Sequence, residues 1–300
     1  MGEQGFICRD TRKGILEEIN ISDKIEDVGG VYCLKKWAKR TKVIISNQES
    51  AKKNGVEFPR GVLIAGVIGC GKTKVAKAIA KSFGLKVYQL NTNNVHCLIN
   101  CSFDECIKEV FKKDNEKSYV IYIDEFDDVF RNIDDVEKNK VKSLFRNLFT
   151  YMMDNRPNVF IIATANDIGI IPQEMILKRY FSEYFYVGLP NKEERKEIFS
   201  IYLAKYDIKD ITNIASDEVC NITDGYSGMD IELVVKDFIE ENFYNKKKFA
   251  STEDLLEAVR RVSPMSKIMK DYFTSVNLQF SKYNLRKASS PIYNEYKWDE

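Results

Sequence analysis

Gly66-Val67-Ile68-Gly69-Cys70-Gly71-Lys72-Thr73 follows the apolar run Val62 to Ala65 and leads into Lys72 to Phe83, where Val75, Ala76, Ile79, Ala80 and Phe83 recur at helical spacing. The octapeptide is a complete GxxxxGK[ST] pattern, and the strand before it and helix after it are the context that gives the pattern meaning. Its glycines allow a loop that folds back and aims backbone amides, together with the helix N-terminus, at a phosphate chain. Lys72 supplies the charge for the β- and γ-phosphates, and Thr73 a hydroxyl for Mg²⁺. Gly69, Cys70, Gly71, Lys72, Thr73 and Lys74 are therefore the expected binding residues for ATP, with Mg²⁺ as its metal.

Outward from this loop, short runs rich in Val, Ile and Tyr alternate with helical patterns. Val62 to Ala65, Lys86 to Leu90, Val120 to Ile123, Val159 to Ala163 and Tyr184 to Val187 read as five strands. Their near-continuous hydrophobicity predicts a doubly wound parallel sheet buried on both faces, an α/β fold. Gly84 stands where a helix C-cap belongs. After Leu189-Pro190 the strand signals stop. Helices follow over Lys192 to Tyr206, near Asp217, over Met229 to Phe243 and over Thr252 to Val262. The predicted division is 1–24 as an N-terminal extension, 25–190 as a large nucleotide-binding domain, 191–275 as a small helical lid and 276–300 as a tail. From about residue 280 the chain turns Tyr-, Asn- and Ser-rich, which predicts a surface tail.

Two further strand ends carry polar chemistry. Val120-Ile121-Tyr122-Ile123-Asp124-Glu125 sets two carboxylates at the C-terminal end of an apolar strand, where open α/β sheets bind ligands. Asp124 is placed to hold Mg²⁺, and Glu125 to orient and deprotonate an attacking water. Ile161-Ile162-Ala163-Thr164-Ala165-Asn166 ends a second buried strand in an amide, and Asn166 is the candidate for bonding the γ-phosphate or that water. Lys72, Glu125 and Asn166 are the catalytic candidates on these grounds.

With these elements in order, the chain resembles the AAA clade of AAA+ ATPases over residues 22–275. Ile25-Glu26-Asp27-Val28-Gly29-Gly30 looks like the clade's N-terminal element, and Gly225-Tyr226-Ser227-Gly228-Met229-Asp230-Ile231 like the start of its lid helix. The resemblance implies an AAA+ P-loop fold with a five-stranded sheet and helical lid. It adds Asp27, Gly29, Gly228 and Met229 to the nucleotide-binding set. Ala163 to Glu174, Leu189 to Phe199 and Glu253 to Met269 look most like the stand-alone ATPases of plastid and cyanobacterial genomes, some bacteria and phages.

Where relatives carry R-x-G-R-F-(D/E), this chain reads Leu177-Lys178-Arg179-Tyr180-Phe181-Ser182, so Arg179, one residue out of register, is the candidate arginine finger. The pore-loop position reads Ile99-Asn100-Cys101 in place of aromatic-aliphatic-Gly, which speaks against threading of polypeptide. A single histidine excludes an HExxH zinc protease. The implied working form is a homo-oligomeric ring, a hexamer, that remodels a protein or nucleoprotein partner. A weakly hydrolysing assembly switch and a small-molecule kinase are the competing readings.

Bulk properties narrow the partners. Forty-six basic against 45 acidic residues give no global field favouring nucleic acid, which is left open, or an anionic membrane. No apolar run reaches the about 18 residues of a membrane span. The opening Met1-Gly2-Glu3-Gln4-Gly5-Phe6 has no apolar signal core, so the expected compartment is the cytosol. Seven cysteines without paired spacing read as reduced thiols. His96, Cys97, Cys101 and Cys106 lie close in sequence without a zinc-type pair.

Overall fold

The computed structural model describes residues 16–92, 118–155, 158–206, 208, 214–247 and 251–289. Within these, seven strands are β1 (Leu16–Glu18), β2 (Gly61–Gly66), β3 (Val87–Leu90), β4 (Tyr119–Ile123), β5 (Val159–Ala165), β6 (Glu183–Val187) and β7 (Arg286–Lys287). The helices are α1 (Tyr32–Ser46), α2 (Gln48–Lys53), α3 (Lys72–Ser82), α4 (Asp135–Asn155), α5 (Lys192–Ala204), α6 (Asp217–Ile222), α7 (Gly228–Tyr244), α8 (Thr252–Arg261), α9 (Met265–Ile268) and α10 (Lys270–Tyr283). The strands bond in the order β1-β3-β4-β5-β2-β6-β7. The five expected strands are all present, and β3, β4 and β5 pair in parallel. Two short edge strands join them that periodicity did not reveal: β1, antiparallel to β3, and β7, parallel to β6. Strands of three and two residues carry no alternation to read.

The described residues fall into two compact units, the first drawn from 1–22, 41–64 and 80–184, the second from 23–40, 65–79 and 185–300. In the first, β4 and β5 are buried at every position, as the unbroken apolar runs require of strands covered on both faces. Helix α4 lies against this unit's aromatic core through Val141, Phe145, Leu148, Phe149 and Met152, a stripe at helical spacing. The rings of Phe126, Phe145 and Phe149 meet edge to face or tilted, with Phe126 and Phe145 centroids 5.1 Å apart.

In the second unit, α5, α6, α7 and α8 share a core of Phe199, Leu203, Val219, Tyr226, Ile231, Val234, Val235, Phe238, Leu255 and Val259. The start of each helix is fixed locally. Asn191, Ser227 and Ser251 cap α5, α7 and α8 in reciprocal capping boxes with Glu194, Asp230 and Asp254.

The tail expected from residue 276 is corrected by this unit. Helix α10 runs through that boundary because Phe273 and Val276 are buried on one of its faces beside Phe280, whose ring stacks on Tyr186 at 4.1 Å. Residues 281–287 and 289 are exposed or half-buried, as expected of a surface segment, and Ala288 is the exception among the described residues there. Ala288 is 0% exposed, donates its amide to Tyr186 O, and through its carbonyl accepts from Cys33 and Leu34 at the start of α1. Those helix-terminal amides have no partner within α1, so a backbone carbonyl supplied from far along the chain satisfies them.

Candidate functional site

The second unit carries the phosphate loop. Gly66 ends β2 at φ +144°, and a Cβ there would fall 2.1 Å from Val187 O, the carbonyl that accepts from Val67 N at 3.0 Å. Gly69 and Gly71 sit at φ +78° and +81°, in the left-handed region that other residues enter at a cost of about 1–2 kcal/mol. Helix α3 begins at once, Val75 N donating to Gly71 O. Nothing lies within 4 Å of the space a Gly71 side chain would fill, so the loop presents an open backbone cradle above a helix N-terminus, which fits an anion. Lys72 is buried, and its ammonium donates to Val67 O at 2.7 Å inside the same loop. Thr73 occupies the first turn of α3, half-buried. Burial pushes the Cys70 thiol up to about 12, against the pull of the Lys72 ammonium. Burial first, and then the Lys205 ammonium, lower the pKa of Lys74, with Asp23 and Asp27 opposing.

Helix α7 meets this loop directly. Met229 N donates to Gly69 O at 3.0 Å, and a Cβ on Gly69 would lie 3.1 Å from Ser227 Oγ and 3.2 Å from Met229 Cβ. Gly228 stands beside the same carbonyl. Asp230 is 1% exposed. Its carboxylate accepts from Ser227 N and Oγ and from Met265 N, fastening the start of α7 to the start of α9. On the far side of the loop, Ile68 N donates to the Tyr272 hydroxyl of α10 at 3.2 Å.

The Asp27 to Gly30 element is held by a helix that sequence reading did not connect with it. Gly30 N donates to Glu197 Oε2 at 2.7 Å and Val31 N to Glu194 Oε1 at 2.9 Å. Gly29 and Gly30 are small because α5 lies against them: their Cβ atoms would fall 2.6 Å from Ile198 Cγ1 and 2.8 Å from the Glu194 side chain. The Asp27 carboxylate accepts from Lys24 N. Lys35 bonds Val28 O and pairs with Glu197 at 3.6 Å, and burial lowers its pKa despite that partner.

The first unit carries the acids. Continuing the β4–β5 register past Ile123 and Ala163 sets Asp124 beside Thr164. The Thr164 hydroxyl donates to Asp124 Oδ1 at 2.6 Å and accepts from Glu125 N at 2.9 Å. Glu125 itself takes φ +48°, and its exposed carboxylate accepts from Asn166 Nδ2 at 3.1 Å. Asp124, Glu125 and Asn166 are thus gathered as expected. Asp127, which the motif spacing does not single out, is 0% exposed and accepts from Asn166 N, Asp167 N and Arg131 Nη2. Burial raises its pKa, with the Asn166 and Asp167 amides pulling the other way. The signal that could have found it is a carboxylate between Phe126 and Val129, both apolar. Arg179 is exposed in a turn where Tyr180 N donates to Leu177 O, its guanidinium 4.5 Å from the Tyr180 ring centroid.

His96, Cys97, Cys101, Cys106 and the Ile99-Asn100-Cys101 stretch lie outside the described residues. Among the described residues no three His, Cys, Asp or Glu side chains cluster as a metal site, and no helix is long and apolar enough to cross a membrane.

A glycine-rich loop between β2 and α3, parallel strands ending in polar residues and a helical C-terminal part define an AAA+ P-loop fold. Residues 62–189 match the ATPase family associated with various cellular activities (AAA), and the chain carries a domain of that family. It is 29% identical over 262 residues to the uncharacterized AAA domain-containing protein ycf46 of Gracilaria tenuistipitata var. liui, covering 84% of this chain and 51% of that one. It is 30% identical over 224 residues to the proteasome-activating nucleotidase of Sulfurisphaera tokodaii, covering 73% and 57%. The crystal structure of the FIGL-1 AAA domain superposes with a TM-score of 0.67 at 18% identity, over 91% of this chain and 93% of that one, a likeness of fold. The chain spans about half the length of the ycf46 relatives it matches, 51% and 55% for two of them.

Proposed function

We propose that this chain binds Mg²⁺-ATP and hydrolyses it to ADP and phosphate, acting as a homo-oligomeric ring, a hexamer, that remodels a protein or nucleoprotein partner in the cytosol. The observation that carries the reading is the phosphate loop itself: two left-handed glycines and a helix N-terminus form an open cradle with Lys72 inside it. Thr73 and Asp124 would hold Mg²⁺, which when bound neutralises phosphate charge. Glu125 takes the proton of the attacking water, and Asn166, bonded to that carboxylate, keeps it aimed. Asp27, Gly29, Gly69, Cys70, Gly71, Lys74, Gly228 and Met229 complete the nucleotide-binding set. The bond from Met229 to Gly69 supports a working stroke, because residues 191–275, as a lid, are tied to the loop that reads the phosphates.

One observation favours the assembly-switch reading. The Arg179 guanidinium rests on Tyr180 of its own chain. A finger must leave such a contact to reach a neighbour's nucleotide. Turnover of the full chain is to be compared with that of Lys72→Ala, Glu125→Gln and Arg179→Ala, with mass measured with and without Mg²⁺-ATP. Remodelling predicts wild-type turnover abolished by the first two changes and lowered on the order of 10³-fold by the third. Wild-type turnover no greater than that of Glu125→Gln leaves only the switch, and a monomer under every condition removes the ring.

A further inference from the structure

We propose that Thr164 is a positioning residue that holds both acids of the hydrolytic site through one hydroxyl. The inference rests on the ATP reading and concerns a residue that plays no part in the motif chemistry. A hydroxyl has one proton to give and lone pairs to receive. That of Thr164, 1% exposed, spends its proton on Asp124 Oδ1 at 2.6 Å and receives Glu125 N at 2.9 Å. The first bond is charge-assisted and fixes one oxygen of the carboxylate expected to serve the metal. The second steadies the backbone of Glu125 at φ +48°, a conformation a residue with a Cβ does not favour. The Thr164 carbonyl adds a third tie, accepting from Phe126 N at 2.8 Å. One strand residue therefore spans three consecutive positions of the acidic turn, and its side chain contacts the two that carry the chemistry.

The hydroxyl can be separated from the rest. Thr164→Val keeps the branched shape and the backbone bond to Phe126 while removing donor and acceptor together. Thr164→Ser keeps the hydroxyl. The test measures, for the full chain and both variants, the Mg²⁺ concentration giving half-maximal turnover, turnover at saturation, affinity for a fluorescent ATP analogue with Mg²⁺ and with chelator, and the melting temperature. Outer-sphere partners of metal ligands typically contribute about 10–100-fold. Thr164→Val is therefore expected to need about tenfold more Mg²⁺ and to lose about ten- to a hundredfold in turnover. Its metal-free nucleotide affinity stays at the wild-type value, and Thr164→Ser restores most of the loss.

Equal Mg²⁺ dependence and turnover in Thr164→Val and wild type overturn the proposal and leave the ATP reading standing. Wild-type protein that takes up no nucleotide overturns both. If Thr164→Val does not fold, Thr164→Ala stands in for it; failure of both to fold, with Thr164→Ser folded and active, makes the hydroxyl a folding determinant and refutes positioning.

Discussion

Met229 gives its backbone amide to the carbonyl of Gly69, 3.0 Å away, so the first turn of α7 and the phosphate loop share a hydrogen bond. The bond belongs to the backbone, and the Met229 side chain is 49% exposed. Met229→Pro, in the first turn where proline is tolerated, removes the donor, whereas Met229→Ala keeps it. The loss of one such bond, about 1 kcal/mol, weakens nucleotide binding about fivefold in the proline variant. The alanine variant, which keeps the donor, loses less affinity than the proline variant. Calorimetric titration with an ATP analogue checks this, and equal affinity in all three proteins would show that the bond transmits nothing.

Asp127 holds the backbone of the sensor turn from beneath, accepting Asn166 N at 2.9 Å and Asp167 N at 3.1 Å. An asparagine has one acceptor oxygen, so Asp127→Asn forfeits part of this set and should cost about 1–3 kcal/mol of stability. The pH dependence has a definite sign. Burial raises the carboxyl pKa in the folded state, so this group's contribution is fully present below its unfolded pKa and is lost as pH rises through the folded value. Chemical denaturation between about pH 4 and pH 7 should show the gap between wild type and Asp127→Asn widening as pH falls; a gap that narrows would contradict the assignment.

Gly30, at φ +69°, has no room for a side chain beside Glu194. Gly30→Ala combines left-handed strain of about 1–2 kcal/mol with a displaced Glu194 carboxylate, the acceptor for Val31 N. A drop of several degrees in melting temperature is expected by scanning calorimetry. Gly55→Ala is the control, since Gly55 has a similar φ of +72° and open space around it. Equal losses in the two variants would mean that the Glu194 contact adds nothing beyond strain.

Cys70 sits in the phosphate loop, yet burial pushes its thiol up to about 12, leaving almost no thiolate near neutral pH. Iodoacetamide at about pH 8 should modify it far more slowly than a free cysteine of ordinary pKa near 8.5. Peptide mass mapping over time reads this directly, and rapid labelling of Cys70 in folded protein would disprove the shielding.

How much was legible in the chain depended on how local each signal is. The five long strands and α3 showed in runs of consecutive residues, because strands covered on both faces and a helix with one buried face impose short periods. The helix α4 stripe from Val141 to Met152 has the same kind of signal, yet the predicted helices do not include it. The edge strands β1 and β7 could not be read this way, since pairing with β3 and β6 defines them and nothing in their own composition does. Gly29 and Gly30 were recognisable as a motif, but the reason for their size, the α5 side chains of Glu194 and Ile198, lies far along the chain.

By itself, the order of residues determined the chemistry on offer: a phosphate cradle with Lys72 and Thr73, two acids after an apolar strand, and an amide after another. Each needs particular residue types at fixed short spacing, and such spacing survives in one dimension. Only the tertiary structure decided which groups orient them, Thr164 for Asp124 and Glu125, Asp127 for Asn166, Glu194 for Val31, and the Gly69 carbonyl for Met229. Hydrogen bonds between distant positions depend on register and packing, and neither leaves a local pattern to read.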